Sequence, residues 1–191
     1  MAVRLVVGLG NPGPQYAHTR HNAGADFVTA LAEHHGASFK KENKFSGETA
    51  RITINNQDIR LLRPLTYMNL SGQAVGPMAK FYDIPPEAIL VAHDELDIEP
   101  GKARLKIGGG HGGHNGLKDI IKALGNNKNF ARLRIGVGHP GHASEVVSYV
   151  LRRAPQSEQE LIEDSISAAL AITPELAEGQ WNKAMKDLHT K

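Results

Sequence analysis

Residues 3–9 read VRLVVGL, a short and nearly continuous apolar run that leads into Gly10. This run decides the fold, because a segment that is apolar on both faces is a strand buried between two layers. Residues 89–92, ILVA, predict a second strand of the same kind. Outward from these runs the periodicity changes. Residues 23–35 place Phe27, Val28, Leu31 and Ala32 at helical spacing, with Gly36 as the stop. Residues 70–82 also read as a helix, with Ser71 as its candidate cap. Leu117, Ile120, Ile121 and Leu124 fall at i, i+3, i+4 and i+7, a helix closed by Gly125. Residues 161–188 are mostly helical, interrupted at Thr173-Pro174, where Thr173 can cap a second helix with Pro174 in its first turn. Residues 51–54 and 59–62 alternate around the turn-prone pair Asn55-Asn56 and predict a hairpin. Residues 103–107 and 132–137 add two more strands, the second offering Arg132 and Arg134 to one face. A hairpin forbids an all-parallel sheet. The expectation is an α/β fold, a single domain over residues 1–191 with one twisted, mixed β-sheet and helices on both faces.

Composition limits the function classes. A chain of 191 residues fits one domain and can bury its own core. With 40% hydrophobic and 22% charged residues and a mean hydropathy of -0.34, it reads as an ordinary globule. It contains no cysteine, which removes disulfide scaffolds, Cys-ligated zinc, iron–sulfur clusters and thiol nucleophiles. No run approaches the roughly 18 consecutive apolar residues of a membrane span, and residues 1–7 lack a leader pattern. A cytoplasmic protein with no membrane partner is expected.

The net charge of +2 hides an asymmetry. Residues 102–134 hold eight basic groups (Lys102, Arg104, Lys106, Lys118, Lys122, Lys128, Arg132 and Arg134) against the single acid Asp119, while both flanking regions are negative. A basic face of this kind suits phosphates. Phe130 is its only aromatic residue, so contact with a nucleic-acid backbone is expected rather than base stacking.

Two familiar patterns fail on inspection. Gly8-Leu9-Gly10-Asn11-Pro12-Gly13 matches G-x-G-x-x-G, but Pro12 and Pro14 disfavour a helix opening at Gly13, and Glu33 falls inside a helical pattern instead of at a strand end. A nucleotide-dependent oxidoreductase is therefore a distant reading. The ten histidines include His111-x-x-His114 and His139-x-x-His142, but there is no H-E-x-x-H and both pairs lie in glycine-rich stretches, so no metal and no cofactor are expected. What remains is positional. Ligands of open α/β sheets bind outside the carboxyl ends of the strands, and Asn11 and Asp94 fall just past the ends of the two buried runs. His21 closes the loop after the first run, and a histidine with a carboxylate partner is the simplest general base at neutral pH. No serine stands in a G-x-S-x-G elbow, which favours a water nucleophile.

Four segments taken together resemble the bacterial peptidyl-tRNA hydrolase family over residues 3–170. They are NPGPQYAHTRHNAG at 11–24, PLTYMNLSG at 64–72, HDELD at 93–97 followed by Pro100-Gly101, and the glycine-rich stretch at 108–117 with its GHNG core. The resemblance implies hydrolysis of the ester joining a peptide to the terminal ribose of tRNA. It implies His21 as the base that takes a proton from water, Asp94 as the group that orients it, and Asn11, Asn69 and Asn115 as amides that orient peptide, water and developing oxyanion. It further implies that Tyr16, Tyr67, Met68, Asn69, His114 and Asn115 surround the acceptor end, that Lys106 and Arg134 clamp a terminal phosphate, and that the protein is a monomer. The alternative it leaves open is a non-catalytic RNA-binding protein on the same fold, for which His21, Asp94 and the three asparagines would be unneeded.

Overall fold

In the computed structural model, which describes residues 1–190, the apolar run at the N-terminus forms strand β1 (Leu5–Gly8), and every residue of it is buried. It is the middle strand of one seven-stranded sheet. The others are β2 (Lys40–Glu42), β3 (Gly47–Ile54), β4 (Gln57–Pro64), β5 (Ile89–Glu95), β6 (Ala103–Ile107) and β7 (Ala131–Gly136), in the spatial order β2-β3-β4-β1-β5-β7-β6. The central strands β4, β1, β5 and β7 run parallel, with Val6 opposite both Leu61 and Leu90. The outer pairs β3/β4, β2/β3 and β6/β7 are antiparallel. The sheet is mixed, as the hairpin requires. Asn55 (φ 51°) and Asn56 (φ 64°) make its two-residue turn, both in the left-handed conformation that asparagine tolerates.

Helices cover both faces because the pleat sends alternate residues to opposite sides. On one face Val6, Leu61 and Leu90 pack with α1 (Ala23–His34), α5 (Gln156–Ala171), α6 (Thr173–Ala177) and α7 (Trp181–His189). On the other, Leu5, Val7, Leu62 and Val91 pack with α2 (Gly72–Phe81) and α3 (Asn115–Ala123). A short helix, α4 (Val146–Val150), stands beside the carboxyl ends of the parallel strands. Helix α1 lies so close to the sheet that a Cβ on Gly24 would sit 2.1 Å from the Ala92 carbonyl oxygen. That approach brings the loop before α1 over the end of β5.

Several boundaries differ from the sequence reading. Strand β5 continues through His93, Asp94 and Glu95, so Asp94 is a strand residue in register with Ile135 and not a residue beyond the strand. The polar strand β2 has no apolar signature and exists by pairing with β3. Neither expected hydroxyl cap forms. Ser71 Oγ donates back to the Met68 carbonyl (2.6 Å), and Thr173 Oγ1 donates to the Leu170 carbonyl (2.8 Å). The first N–H of α2, from Gly72, is instead accepted by Asp119 Oδ2 on α3 at 2.7 Å. No helix opens at Gly13. A single 3-10 turn, Pro14–Tyr16, follows it, and α1 begins only at Ala23.

Candidate active site

The carboxyl ends of β1 and β5, the turn at Met68–Leu70, the N-terminus of α3 and helix α4 enclose a cavity of about 800 Å³. At its floor lies Asp94, 4% exposed. A buried carboxylate needs strong donors, and two imidazoles supply them. His21, on the 3-10 turn Arg20–Asn22, places Nδ1 at 2.9 Å and 3.0 Å from the two carboxylate oxygens. His114 places Nε2 at 2.8 Å from Oδ1.

The hydrogen bonds fix both tautomers. His114 Nδ1 accepts the N–H groups of Gly116 (3.1 Å) and Leu117 (3.4 Å), capping α3, so its proton resides on Nε2 and is given to Asp94. The ionised Asp94 can only accept, so neutral His21 keeps its proton on Nδ1 and leaves Nε2 as a free lone pair. Burial opposes charge on both partners and is the largest influence on each. It is outweighed at Asp94 by the two imidazoles, which hold the carboxyl far below its usual range. At His21 burial is outweighed by the charge of Asp94 and its hydrogen bond, which leave the imidazole pKa raised above 6.5. His93 beside them is fully enclosed. Burial, followed by the neighbouring His114, pushes its pKa down to about 3, so it is neutral, with Nδ1 donating to the Asp94 carbonyl.

His21, Asp94 and His114 also gather three ligand-type atoms within 4.8 Å of one another. Their mutual contacts are of hydrogen-bond length, and a metal among them would have to displace both N–H donors from Asp94.

The asparagines divide into one fixed and two free amides. Asn11 Oδ1 accepts the Met68 N–H at 2.7 Å, so its two Nδ2 hydrogens are left for the cavity. Asn22 pins the Asn11 backbone from both sides, accepting its N–H (2.8 Å) and donating to its carbonyl (2.9 Å). Asn69 and Asn115 are exposed on the cavity lining, and among the described residues neither amide has a protein partner. Tyr67 and Met68 line the cavity too. Tyr16 does not, and packs edge-on against Tyr67 with ring centroids 6.5 Å apart. The opposite wall is apolar, formed by Leu96, Val146, Val147 and Val150.

The basic strands close one side. Lys106 pairs with Arg132 and Arg104 with Arg134 across β6 and β7, so all four side chains share a face. They are not equally available. Arg132 is buried, donating to the carbonyls of Gly109 (2.6 Å) and Phe130 (3.2 Å), which makes it an anchor for the glycine-rich loop rather than a group offered to a ligand. Arg134 Nε donates to Glu95 at 2.9 Å and borders the cavity, and Lys106 is exposed at its rim.

The sequence reading put His114 beside the acceptor end but not on Asp94, and it missed two contributors, the bracket made by Asn22 and the apolar wall of α4. Asn22 carried a signal, as the neighbour of His21 in the N-terminal motif.

Fold and site together define the class: an α/β protein with a carboxylate held between two imidazoles, at the carboxyl ends of parallel strands in a cleft with a basic side. The sequence profile of the family described as Peptidyl-tRNA hydrolase matches residues 5–191. A peptidyl-tRNA hydrolase of Saccharophagus degradans is 61% identical over 99% of this chain and 96% of its own, and one of Tolumonas auensis is 58% identical over 98% and 95%. The crystal structure of peptidyl-tRNA hydrolase from Acinetobacter baumannii superposes with a TM-score of 0.95 at 53% identity, covering 98% of this chain and 94% of that one. The chain belongs to the peptidyl-tRNA hydrolase family.

Proposed function

We propose that this protein hydrolyses the ester between peptide and tRNA in peptidyl-tRNA, with water as the nucleophile and His21 as the general base. The observation that carries the reading is the locked tautomer of His21. With Nδ1–H on Asp94, the lone pair of Nε2 is left to take a proton from water as it attacks the ester carbonyl. The imidazolium that forms is stabilised by the carboxylate, and the alkoxide of the terminal ribose recovers the proton as it leaves. Asp94 does not itself need to be protonated, and its depressed pKa suits that role. Asn11 Nδ2, Asn69 and Asn115 supply neutral amide donors for the peptide carbonyl and the developing oxyanion. The exposed Lys106 and the partly paired Arg134 serve the phosphates of the acceptor end.

The test is release of N-acetylated amino acid from charged tRNA by the purified protein and by His21→Ala. Loss of about 10²- to 10⁴-fold in turnover, with circular dichroism unchanged, is the expected outcome. Activity within a few-fold of the parent refutes the assignment of His21. A parent protein that binds tRNA and releases nothing identifies a non-catalytic RNA-binding protein instead.

A further inference from the structure

The residue before the proposed base is a buried arginine with an unusual set of partners. Arg20 is 7% exposed, and among the described residues it makes no ion pair with a carboxylate. Its guanidinium carbon stands 3.7 Å from the centroid of the Tyr149 ring, and Nη1 donates to the Tyr149 carbonyl at 2.9 Å. Its backbone N–H donates to the Arg152 carbonyl at 3.1 Å. Tyr149 belongs to α4, the helix that forms the apolar wall of the cleft, and its hydroxyl donates to the Val137 carbonyl at 2.6 Å. The Val137 N–H in turn donates to the carbonyl of Glu95, next to Asp94, at 3.0 Å. A closed circuit results, from His21 to Arg20, Tyr149, Val137 and Glu95, then to Asp94 and across the 2.9 Å hydrogen bond back to His21.

We infer that Arg20 is a positioning residue: stacked on Tyr149, it fixes the turn that carries His21 against α4 and so sets the His21–Asp94 geometry and the position of the cleft wall together. A planar guanidinium suits this place better than an ammonium, because it stacks on a ring and donates in its own plane at once. Keeping an arginine side chain buried with one carbonyl and a ring for partners is costly as packing alone, since an apolar side chain of similar length would fill the same space. The role rests on His21 being the base, although its principal readout does not.

The test uses the full chain carrying Arg20→Met, Tyr149→Ala, Tyr149→Phe or the double change Arg20→Met with Tyr149→Ala. The His21 imidazole is titrated by NMR in the absence of substrate, and hydrolysis of N-acetylaminoacyl-tRNA is followed in parallel. In Arg20→Met the hydrogen bond to Asp94 loosens, so the His21 titration moves to lower pH and kcat falls by about 10- to 10²-fold, the scale of a sub-ångström to ångström displacement of a catalytic group. Affinity for product tRNA stays at the parent value, because Arg20 is buried and not offered to a phosphate. Tyr149→Ala matches Arg20→Met, Tyr149→Phe keeps the ring but loses the hydroxyl bond to Val137 and falls between the parent and Tyr149→Ala, and the double change is little worse than either single one. An unchanged His21 titration in Arg20→Met overturns the proposal, whatever happens to thermal stability, and so does loss confined to KM. If the titration shifts while His21→Ala remains active, the positioning stands and the assignment of His21 as base fails.

Discussion

Replacing Asp94 with asparagine is a small change in shape and a large one in logic. Asp94 accepts from two imidazoles at once, and an amide can accept at only one of its two ends. If the amide oxygen faces His114, the NH₂ group faces His21 Nδ1. The imidazole must then present a lone pair there and carry its proton on Nε2, the wrong end for a base. If the oxygen faces His21, the NH₂ group meets the Nε2–H of His114, whose tautomer is held by the N–H groups of Gly116 and Leu117. A buried donor facing a donor costs about 1–3 kcal/mol. Either orientation removes the stabilisation of the imidazolium, and kcat should fall by about 10²- to 10⁴-fold.

The pH profile gives the second signature. As the proposed base, His21 works only when neutral, so kcat/KM of the parent should rise with pH through a pKa that Asp94 holds above the ordinary histidine value. Without the carboxylate only burial remains, which lowers the pKa, so the rising limb of the residual activity should move to lower pH. The assay is hydrolysis of N-acetylaminoacyl-tRNA from about pH 5 to about 9, across the ordinary histidine range. A limb that stays where it was, or activity within a few-fold of the parent, would refute the coupling of His21 to Asp94.

Asn11→Asp keeps the acceptor for the Met68 N–H but turns the donors facing the cavity into a carboxylate oxygen. The ratio of kcat/KM for unblocked over N-acetylated aminoacyl-tRNA should rise by about 10-fold or more, since an ammonium then finds a counter-charge. An unchanged ratio makes Asn11 a turn residue. Dialysis against EDTA should leave hydrolysis of a small unstructured ester intact, because Asp94 is satisfied by two N–H donors; loss with rescue by zinc would identify a metal among His21, Asp94 and His114. Lys106→Ala and Arg134→Ala should each raise KM for tRNA substrates and lower the salt slope of binding by about 1, with little effect on minimal esters. Equal damage to both substrates would place them in the catalytic centre.

The buried strands β1 and β5 were legible because a two-sided apolar run has few alternatives, and α1 and α3 because their apolar residues keep helical spacing to a glycine stop. The end of β5 was not. His93, Asp94 and Glu95 look like a loop, and Asp94 is buried in a strand only because two imidazoles from other elements meet it. The hydroxyl caps failed for a related reason. Ser71 is a sound local choice, but its hydroxyl donates back to the Met68 carbonyl, and the first N–H of α2, from Gly72, is taken by Asp119, 47 residues further along the chain. This also accounts for the lone acid in the basic stretch, which joins α3 to α2. Of the site residues, motif resemblance selected His21, Asp94 and the asparagines. It did not give His114 its place on Asp94, since that place depends on the conformation of a glycine-rich loop.

The two rims of the sheet also govern what the protein avoids. A strand at a sheet margin offers unpaired N–H and C=O groups to any other chain, a route to aggregation. At one rim stands β2, three residues long and entirely charged, a poor template for another strand. At the other, helix α7 lies over β6. There His189 Nε2 accepts the outward N–H of Leu105 at 3.0 Å, and its carbonyl accepts from Arg104 at 3.3 Å. Burial, followed by the Arg104 charge, lowers the pKa of His189, which favours the neutral ring that can accept. One margin is thus guarded by charge and the other by a neutral imidazole, which leaves the sheet poorly suited to growing by addition of a strand from a neighbouring molecule.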